Sequence, residues 1–229
     1  MTILVIDTSA ALCAACVFDP LSKRELGRMV LDLGKGHAEH VMAVIDGALA
    51  EAKASYADLA SIGVSVGPGT FTGVRVGVSA ARGLALALKI PAVGITTSEA
   101  LAAQTRSVWP GRAVLVVTKA GDKLAIARFD EEGACVEGPR IGTLDEAVEL
   151  AGAWRPVLAG NMAFQVAEQA GTAFDRGPDG ATADIRFFAE IAARRKIDGE
   201  APKPLYLRPP DAKPSTNFAL PVKGPFEGG

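Results

Sequence analysis

Short apolar runs, each bounded by turn-forming residues, open the chain. This pattern is typical of strands, which are predicted over 2–6, 12–18 and 25–31. The turns between them, at Asp7–Ser9 and Asp19–Ser22, are too short for a crossover connection between parallel strands. An antiparallel meander is therefore predicted at the start of the fold.

The apolar spacing then lengthens to a helical period. Helices and short strands are predicted to alternate over 37–53 (helix), 61–66 (strand), 73–89 (helix) and 92–95 (strand). The resulting β-β-β-α-β-α-β order is that of a ribonuclease-H-like lobe, as found in the actin-like ATPase fold. We therefore expect an α/β protein with a first lobe over residues 1–96.

The second half repeats this order loosely, without a sequence repeat. The predicted elements are a helix over 97–106, strands over 113–118, 123–129 and 134–140, a helix over 143–153, a strand over 156–159, and helices over 161–170 and 183–197. These elements predict a second lobe over 97–200 and hence a two-lobed fold. Seven prolines in residues 201–229 predict an extended or disordered C-terminal tail.

The two helices of the first lobe are unusually apolar. The helix over 73–89 is apolar on nearly all sides, and Gly73, Gly77 and Ala81 form a ridge of small residues that would let another helix approach closely. The helix over 37–53 also has apolar residues beyond its main stripe. A neighbouring helix of the same lobe could cover this surface, or both helices could present a second face to another subunit.

A glycine-rich turn joins the strand over 61–66 to the following helix. Its sequence, Gly-Pro-Gly-Thr-Phe-Thr-Gly over 67–73, implies unusual dihedrals or a close approach, and a turn at a helix N-terminus could bind an anion. A P-loop requires Gly-Lys-Ser/Thr, whereas Val74 and Arg75 follow the last glycine here. The spacing also differs from the dinucleotide fingerprint, which has two residues between its second and third glycines. Gly67 and Gly69 are nevertheless expected to hold dihedrals that a side chain tolerates poorly.

Polar residues at two other places are candidates for chemistry. Asp7 ends the first strand and precedes Thr8 and Ser9, so it could place metal-bound phosphates, or it could simply bond the backbone of its own turn. His37 and His40 share a face at a helix start, but two histidines fall short of a metal-ligand set. Capping and surface roles are therefore expected for both histidines, and no metal site is predicted.

The composition is that of a globular protein, with 49% hydrophobic and 22% charged residues and a net charge of −2. No apolar run reaches the roughly 18 residues of a membrane span, and the first residues lack a basic secretory n-region, so a cytoplasmic protein is expected. The low net charge argues against strong RNA binding by the chain alone.

Cys13 and Cys16 are three residues apart in a predicted strand, so their side chains point to opposite faces of the sheet. Both are therefore expected to be ordinary buried cysteines.

Five segments together resemble a known family. These are the glycine-rich turn with its extension to Gly77, Leu4–Ser9, Gly36–His40, Gly94–Leu101 and Pro204–Arg208. The resemblance is to the bacterial TsaB family, also called YeaZ, whose members belong to the machinery for the tRNA modification threonylcarbamoyladenosine. It is dense over 1–105 and thin over 106–200. The chain departs from the family at Thr118–Asp122, where relatives often carry an Asp-Ala-Arg-Arg-like segment.

The resemblance implies a degenerate relative of the catalytic subunit TsaD. TsaD-like enzymes carry a histidine-rich metal motif after the glycine-loop helix, and the equivalent stretch, 95–100, has no histidine. The implied role is a scaffold without catalytic residues of its own that docks TsaD together with the ATPase TsaE. The complex would transfer threonylcarbamoyl to N6 of adenosine 37, and tRNA would bind only through the complex. The alternative, from a different class, is an active actin-like phosphotransferase that uses Asp7 and the glycine loop on ATP.

The resemblance and the apolar helices give two sets of candidate residues. The partner-interface set is His37, His40, Met42, Gly47, Val74, Arg75, Gly77, Val78, Ala81 and Arg82. The set for a vestigial nucleotide site is Asp7, Thr8, Ser9, Gly67, Gly69 and Thr70. No cofactor is expected for the isolated chain, although ATP or ADP could sit at the interface with TsaD. A homodimer is a further expectation for the chain alone.

Overall fold

The computed structural model describes residues 2–207, which form two mixed sheets separated and flanked by helices. The first lobe contains β1 (Thr2–Asp7), β2 (Leu12–Asp19), β3 (Arg24–Asp32), α1 (His37–Glu51), β4 (Leu59–Gly67), α2 (Phe71–Leu88) and β5 (Ala92–Thr96), with a short 3-10 turn at Tyr56–Asp58. The second lobe contains α3 (Thr97–Val108), β6 (Val114–Ala120), β7 (Lys123–Phe129), β8 (Cys135–Gly142), α4 (Leu144–Trp154), β9 (Val157–Ala159), α5 (Ala163–Ala170) and α6 (Ile185–Ala192).

The first sheet has the strand order β3-β2-β1-β4-β5. The first three strands pair antiparallel, whereas β4 pairs parallel to both β1 and β5. The second sheet, β8-β7-β6-β9, repeats the scheme with an antiparallel meander and one parallel strand. The meander and the β-β-β-α-β-α-β order predicted for the first lobe are thus both present.

Three apolar clusters define five alternating layers. Helices α1 and α2 pack on one face of the first sheet, and α4 and α5 pack on the outer face of the second sheet. Between the sheets lie α3 and α6, in a core to which both sheets contribute. Phe188 of α6 is fully buried in this shared core. The last helix of the second lobe therefore also packs against the first sheet.

The strand β2 shows how the layers follow from the sequence. Successive side chains of a strand point to opposite faces, so Cys13 lies in the cluster under α1 and α2, whereas Cys16 lies in the cluster between the sheets. Both thiols are free and buried, as expected. Burial, and next the negative charge of Asp7, raise the pKa of Cys13 to about 11, so this thiol is poorly reactive at neutral pH.

The predicted last helix, 183–197, is longer than the observed one. Asp184 caps α6 by accepting a hydrogen bond from the Arg186 N–H at 2.9 Å, and the helix ends at Ala192. Residues 201–207 are without helix or strand, in agreement with the extended tail predicted there. The remainder of the predicted tail, 208–229, lies outside the described residues.

By length and composition, α2 is the one helix in the range 2–207 that could span a membrane. A core helix of a soluble protein passes the same test, and the inner side of α2 is indeed buried in the core of the first lobe. The helix therefore carries little weight as a membrane signal.

Candidate functional site

Asp7 lies at the C-terminal end of β1, 1% exposed, where the two lobes meet. Its Oδ1 accepts a hydrogen bond from the Ser9 N–H at 2.9 Å. Its Oδ2 accepts a hydrogen bond from Thr182 Oγ1 of the second lobe at 2.6 Å. The interpretation that Asp7 bonds the backbone of its own turn is thus confirmed. The second bond, to Thr182, has no signal in the local sequence.

The two hydroxyls that follow Asp7 are also buried and bonded. Thr8 Oγ1 donates to the carbonyl of Gly73 at 2.7 Å. Ser9 Oγ accepts a hydrogen bond from Thr97 Oγ1 at 3.4 Å, and Ser65 Oγ lies 3.2 Å from the same Thr97 oxygen. These bonds join the β1–β2 turn to α2 and α3, and Thr97 joins α3 to β4 as well.

Glycine is required at two positions of the loop, Gly67 and Gly69, for two different reasons. Gly67 has a φ of +97°, in the left-handed region that a side chain tolerates poorly, as predicted. The same expectation is wrong for Gly69, whose φ is not positive. A Cβ on Gly69 would instead lie 2.3 Å from the Ser9 carbonyl oxygen, so glycine is needed there for close approach.

The polar groups of the loop are largely used within the protein. The Thr70 N–H donates to the Ser9 carbonyl at 2.7 Å, and the Thr70 side chain caps α2 by accepting from the Gly73 N–H at 3.2 Å. The Thr70 carbonyl accepts from Val74 at 3.0 Å. Donors that an anion would need at this helix start are therefore partly occupied by the loop's own residues.

A cleft of about 620 Å³ lies between the lobes beside this loop. One wall is formed by Ser9–Ala11, the glycine loop and the start of α2, and the opposite wall by the β6–β7 hairpin over 118–121. A third wall is formed by Pro204–Leu207. Asp7 is absent from the lining, so its carboxylate lies behind the cleft surface. Sequence reasoning missed the third wall, and its only signal was the family-like segment that begins at Pro204.

The structure separates the predicted interface residues into two groups. Met42, Arg75 and Arg82 are exposed, and His40 is half-buried. The inward-facing group consists of His37, Val74, Gly77, Val78 and Ala81, all buried, with Gly47 half-buried beneath Met29.

The two glycines of the small-residue ridge of α2 lie against the β1–β2 turn. A Cβ on Gly77 would lie 2.5 Å from Thr8 Oγ1, and a Cβ on Gly73 would lie 2.1 Å from the Thr8 carbonyl oxygen. Glycine is therefore needed at both positions because the β1–β2 turn of the same lobe approaches so closely. The prediction that Gly77 lies where a helix packs closely is wrong, because the close neighbour is Thr8.

The expected surface or capping role is wrong for His37. This side chain is buried, its Nε2 has no hydrogen-bond partner, and the helix cap at Gly36 makes no side-chain bond. Within residues 2–207, no group of three or more His, Cys, Asp or Glu side chains is arranged to hold a metal ion.

Comparison with known proteins extends these observations. The family model described as "TsaD: tRNA N6-adenosine threonylcarbamoyltransferase" matches residues 32–181. An uncharacterized protein of Mycobacterium tuberculosis is 31% identical over 217 residues, covering 93% of this chain and 94% of the relative. The Bacillus subtilis protein named "tRNA threonylcarbamoyladenosine biosynthesis protein TsaB" is 35% identical over 106 residues, 46% of this chain and 45% of the relative. The match to that protein thus covers about half of each chain.

Solved structures agree on the fold. The structure described as YeaZ from Pseudomonas aeruginosa has a TM-score of 0.71 at 21% identity, covering 84% of this chain and 91% of that one. A ROK hexokinase from Thermus thermophilus has a TM-score of 0.50 at 16% identity over 84% of this chain and 98% of that one. These likenesses confirm the two-lobed α/β fold of the actin-like ATPase type. By its match to the TsaD family model over residues 32–181 and its TsaB-named relatives, the chain belongs to the TsaB/YeaZ family.

Proposed function

We propose that this chain is a scaffold subunit, without catalysis of its own, in the synthesis of threonylcarbamoyladenosine at position 37 of tRNA. Membership of the TsaB/YeaZ family supports the pathway. In this role the chain docks and activates TsaD together with TsaE, in the cytoplasm, and meets tRNA only through the assembled complex. A homodimer in the absence of TsaD is part of the same proposal.

The state of Asp7 is the observation that carries the non-catalytic role. A carboxylate that positions metal-bound phosphates must face the cleft with free lone pairs. Asp7 is 1% exposed, and each of its oxygens accepts a hydrogen bond, from the Ser9 N–H and from Thr182 Oγ1. Bringing it into contact with a ligand would break a bond that joins the lobes, and leaving a buried polar group unpaired typically costs about 1–3 kcal/mol.

The same geometry weighs against the alternative of an active phosphotransferase. That reaction would use Asp7 and the glycine loop on ATP between the lobes. In the loop, the Thr70 N–H is bonded to the Ser9 carbonyl, and the Gly73 N–H is bonded to the Thr70 side chain that caps α2. Neither N–H is free to bind a phosphate. The shared core around α6 also joins the two lobes, which opposes the domain closure by which many kinases exclude water. ATP or ADP bound at the interface with TsaD remains compatible with the scaffold role.

We place the TsaD-docking surface on the outer face of α1 and α2. This face has exposed apolar side chains beside cations, including Met42, Leu86, Arg75 and Arg82. Leu86, in the last turn of α2, is 82% exposed and lies on the same side of the helix as Arg75 and Arg82, since seven residues separate the two arginines and four separate Arg82 from Leu86. The buried members of the predicted interface set would support this face from below.

Reconstitution tests the proposal directly. Purified TsaD, TsaE and tRNA, supplied with the threonylcarbamoyl donor and ATP, should form the modified adenosine efficiently only when this chain is added. The chain alone with ATP and magnesium should release no phosphate above buffer. ATP hydrolysis by the isolated chain that is lost in Asp7→Ala would favour the phosphotransferase.

A matched pair of variants tests the docking face. Leu86→Asp should weaken TsaD binding at least tenfold, because an unpaired charge would be buried in the proposed contact. Leu21→Asp, at an equally exposed leucine (87%) in the β2–β3 turn, should bind TsaD normally. Isothermal titration calorimetry with TsaD measures both, and equal effects of the two variants would remove α2 from the interface.

A further inference from the structure

Residues Pro204–Leu207 cross the first lobe and form one wall of the cleft. The Leu205 N–H donates to the Val66 carbonyl of β4 at 2.8 Å, and the Leu205 side chain packs against the core under α2. In the part of the tail that the structure describes, 201–207, this is the one backbone hydrogen bond to either lobe. Beyond the buried Pro202, the backbone of the segment is therefore attached to the first lobe at one point.

A second attachment lies at the surface, one residue further along. Tyr206 accepts a hydrogen bond on its hydroxyl from Arg75 Nε of α2 at 2.8 Å. The Arg75 guanidinium carbon lies 3.6 Å from the ring centroid of Phe71 and 5.3 Å from that of Tyr206. Tyr206 is 51% exposed and Phe71 is 49% exposed, so water competes for each of these contacts.

The body beneath this segment is held far more firmly. The lobes share the buried core around α6, and Asp7 bonds Thr182 across them. Segments with few buried contacts open locally at much lower free energy than core elements. The contrast predicts that residues 204–207 can leave the surface while both lobes stay folded.

We propose that Pro204–Leu207 is a strap that forms a removable wall of the cleft and that leaves the first lobe when Tyr206 releases Arg75. When docked, the strap lies against the buried start of the glycine loop: the Leu205 carbonyl oxygen lies 3.8 Å from the position of a Cβ on Gly67, and Val74 beside it is only 5% exposed. Undocking exposes Val74 and frees the Arg75 side chain at the first turns of α2. The width of the cleft and the exposure of Val74 thus depend on the C-terminal segment.

Cysteine labelling tests the strap without any natural ligand. Val74→Cys is made in a Cys135→Ser background, which removes the exposed thiol, while Cys13 and Cys16 stay buried. The probe is N-ethylmaleimide. Adding Tyr206→Ala should raise the labelling rate at Cys-substituted position 74 at least tenfold, and truncation after Lys203 should raise it further. Tyr206→Phe, which keeps the ring and loses the hydroxyl, should fall between.

Phe164→Ala is the matched control. Phe164 is a half-exposed aromatic residue beside an arginine, Arg176, at 5.4 Å, but lies on α5 in the second lobe. It should leave the labelling rate unchanged. An unchanged rate in Tyr206→Ala and in the truncated chain would overturn the proposal.

Hydrogen exchange provides a readout that does not need the Val74→Cys substitution. In Tyr206→Ala, the amide of Leu205 should exchange at least tenfold faster, whereas amides of β1 and α6 should keep their protection. If β1 and α6 lost protection in parallel with Leu205, the segment would be part of the cooperative core, and the strap would be ruled out.

Discussion

Thr182 donates a hydrogen bond from its Oγ1 to Asp7 Oδ2 at 2.6 Å, joining residues 175 positions apart. One partner ends the first strand and the other precedes the last helix, so the contact spans both lobes. It also occupies the carboxylate that an actin-like phosphotransferase would direct at its nucleotide. The same bond thus adds a contact between the lobes and keeps the Asp7 carboxylate out of the cleft.

Removing the Thr182 hydroxyl should destabilise the protein. Thr182→Val leaves the buried Asp7 carboxylate one partner short, which should lower the free energy of unfolding by about 1–3 kcal/mol. Thr182→Ser retains the hydroxyl and should lose far less. Urea unfolding followed by circular dichroism measures both variants. Equal stability of Thr182→Val and the unmodified chain would mean that the bond contributes nothing.

Two glycines of α2 should respond oppositely to the same substitution. A Cβ on Gly77 would lie 2.5 Å from Thr8 Oγ1, which already donates to the Gly73 carbonyl. Gly77→Ala should therefore cost about 1–3 kcal/mol by overpacking. Gly83 has no atom within 4 Å of its Cβ position, so Gly83→Ala should stabilise the helix by about 0.5–1 kcal/mol.

Thermal melting measures the stability of the Gly77→Ala and Gly83→Ala variants, and size-exclusion chromatography measures their assembly state. The stability loss in Gly77→Ala should be seen in the monomer itself. A folded, fully stable Gly77→Ala protein that fails only in assembly would restore the interface role that the sequence suggested for this residue.

Substitutions in the glycine loop should lower the stability of the fold, and not only the binding of a ligand. Gly67→Ala forces a side chain into a φ of +97°, and Gly69→Ala places a Cβ 2.3 Å from the Ser9 carbonyl oxygen. Each should destabilise the fold by about 1–3 kcal/mol. Gly152→Ala, in α4 with open space at its Cβ position, is the control and should not destabilise. Unchanged melting of both loop variants would contradict this account.

Asp184 should make stability pH-dependent. Burial pushes the pKa of Asp184 upwards, but the Arg28 guanidinium and the Arg186 N–H outweigh it and hold the pKa below its ordinary value of 3.8. A carboxyl whose pKa is lower in the folded state stabilises the protein above the unfolded-state pKa. This stabilisation is lost as the pH falls through the folded-state pKa.

Asp184→Asn isolates that charge. Asparagine can still cap α6, so the variant should differ from the unmodified chain mainly in its ion pair with Arg28 at 2.8 Å. Both side chains are about a third exposed, so the loss at pH 7 should be only about 0.5–1 kcal/mol. The difference should shrink below about pH 3.8 and vanish in stronger acid. Urea titrations at several pH values measure it, and a difference that grows in acid would invert the assignment.

Local pattern was sufficient to predict most of the fold. The meander and the alternation of helices and strands depend on apolar period and turn residues, which are properties of neighbouring positions. Contacts between distant segments were not predictable in this way. The pairing of Asp7 with Thr182, the wall formed by Pro204–Leu207 and the packing of Gly77 on Thr8 depend on which segments the folded chain brings together. For Gly77, the spacing correctly indicated a close approach, but the helical context suggested the wrong neighbour.

The last prediction concerns tRNA and depends on the proposed role. The Arg194–Lys196 cluster follows α6, and Arg106 of α3 lies on the same groove. Arg195 is committed to structure, because its Nη2 donates at 2.7 Å to Glu99, whose side chain caps α3. Charge reversal is therefore best made at Arg194 and Lys196. With a net charge of −2, the chain alone should bind tRNA only weakly at physiological salt.

A mixture with TsaD should bind tRNA much more tightly than the chain alone. In that mixture, Arg194→Glu with Lys196→Glu should weaken binding several-fold and make the slope of log K against log salt shallower by about 1–2, because up to two phosphate contacts are lost. Lys23→Glu with Lys123→Glu changes the total charge equally at exposed sites away from the groove and should have little effect. Filter binding at two salt concentrations, with and without TsaD, measures these values. Sub-micromolar binding by the isolated chain at physiological salt would show that its own surface suffices for RNA recognition.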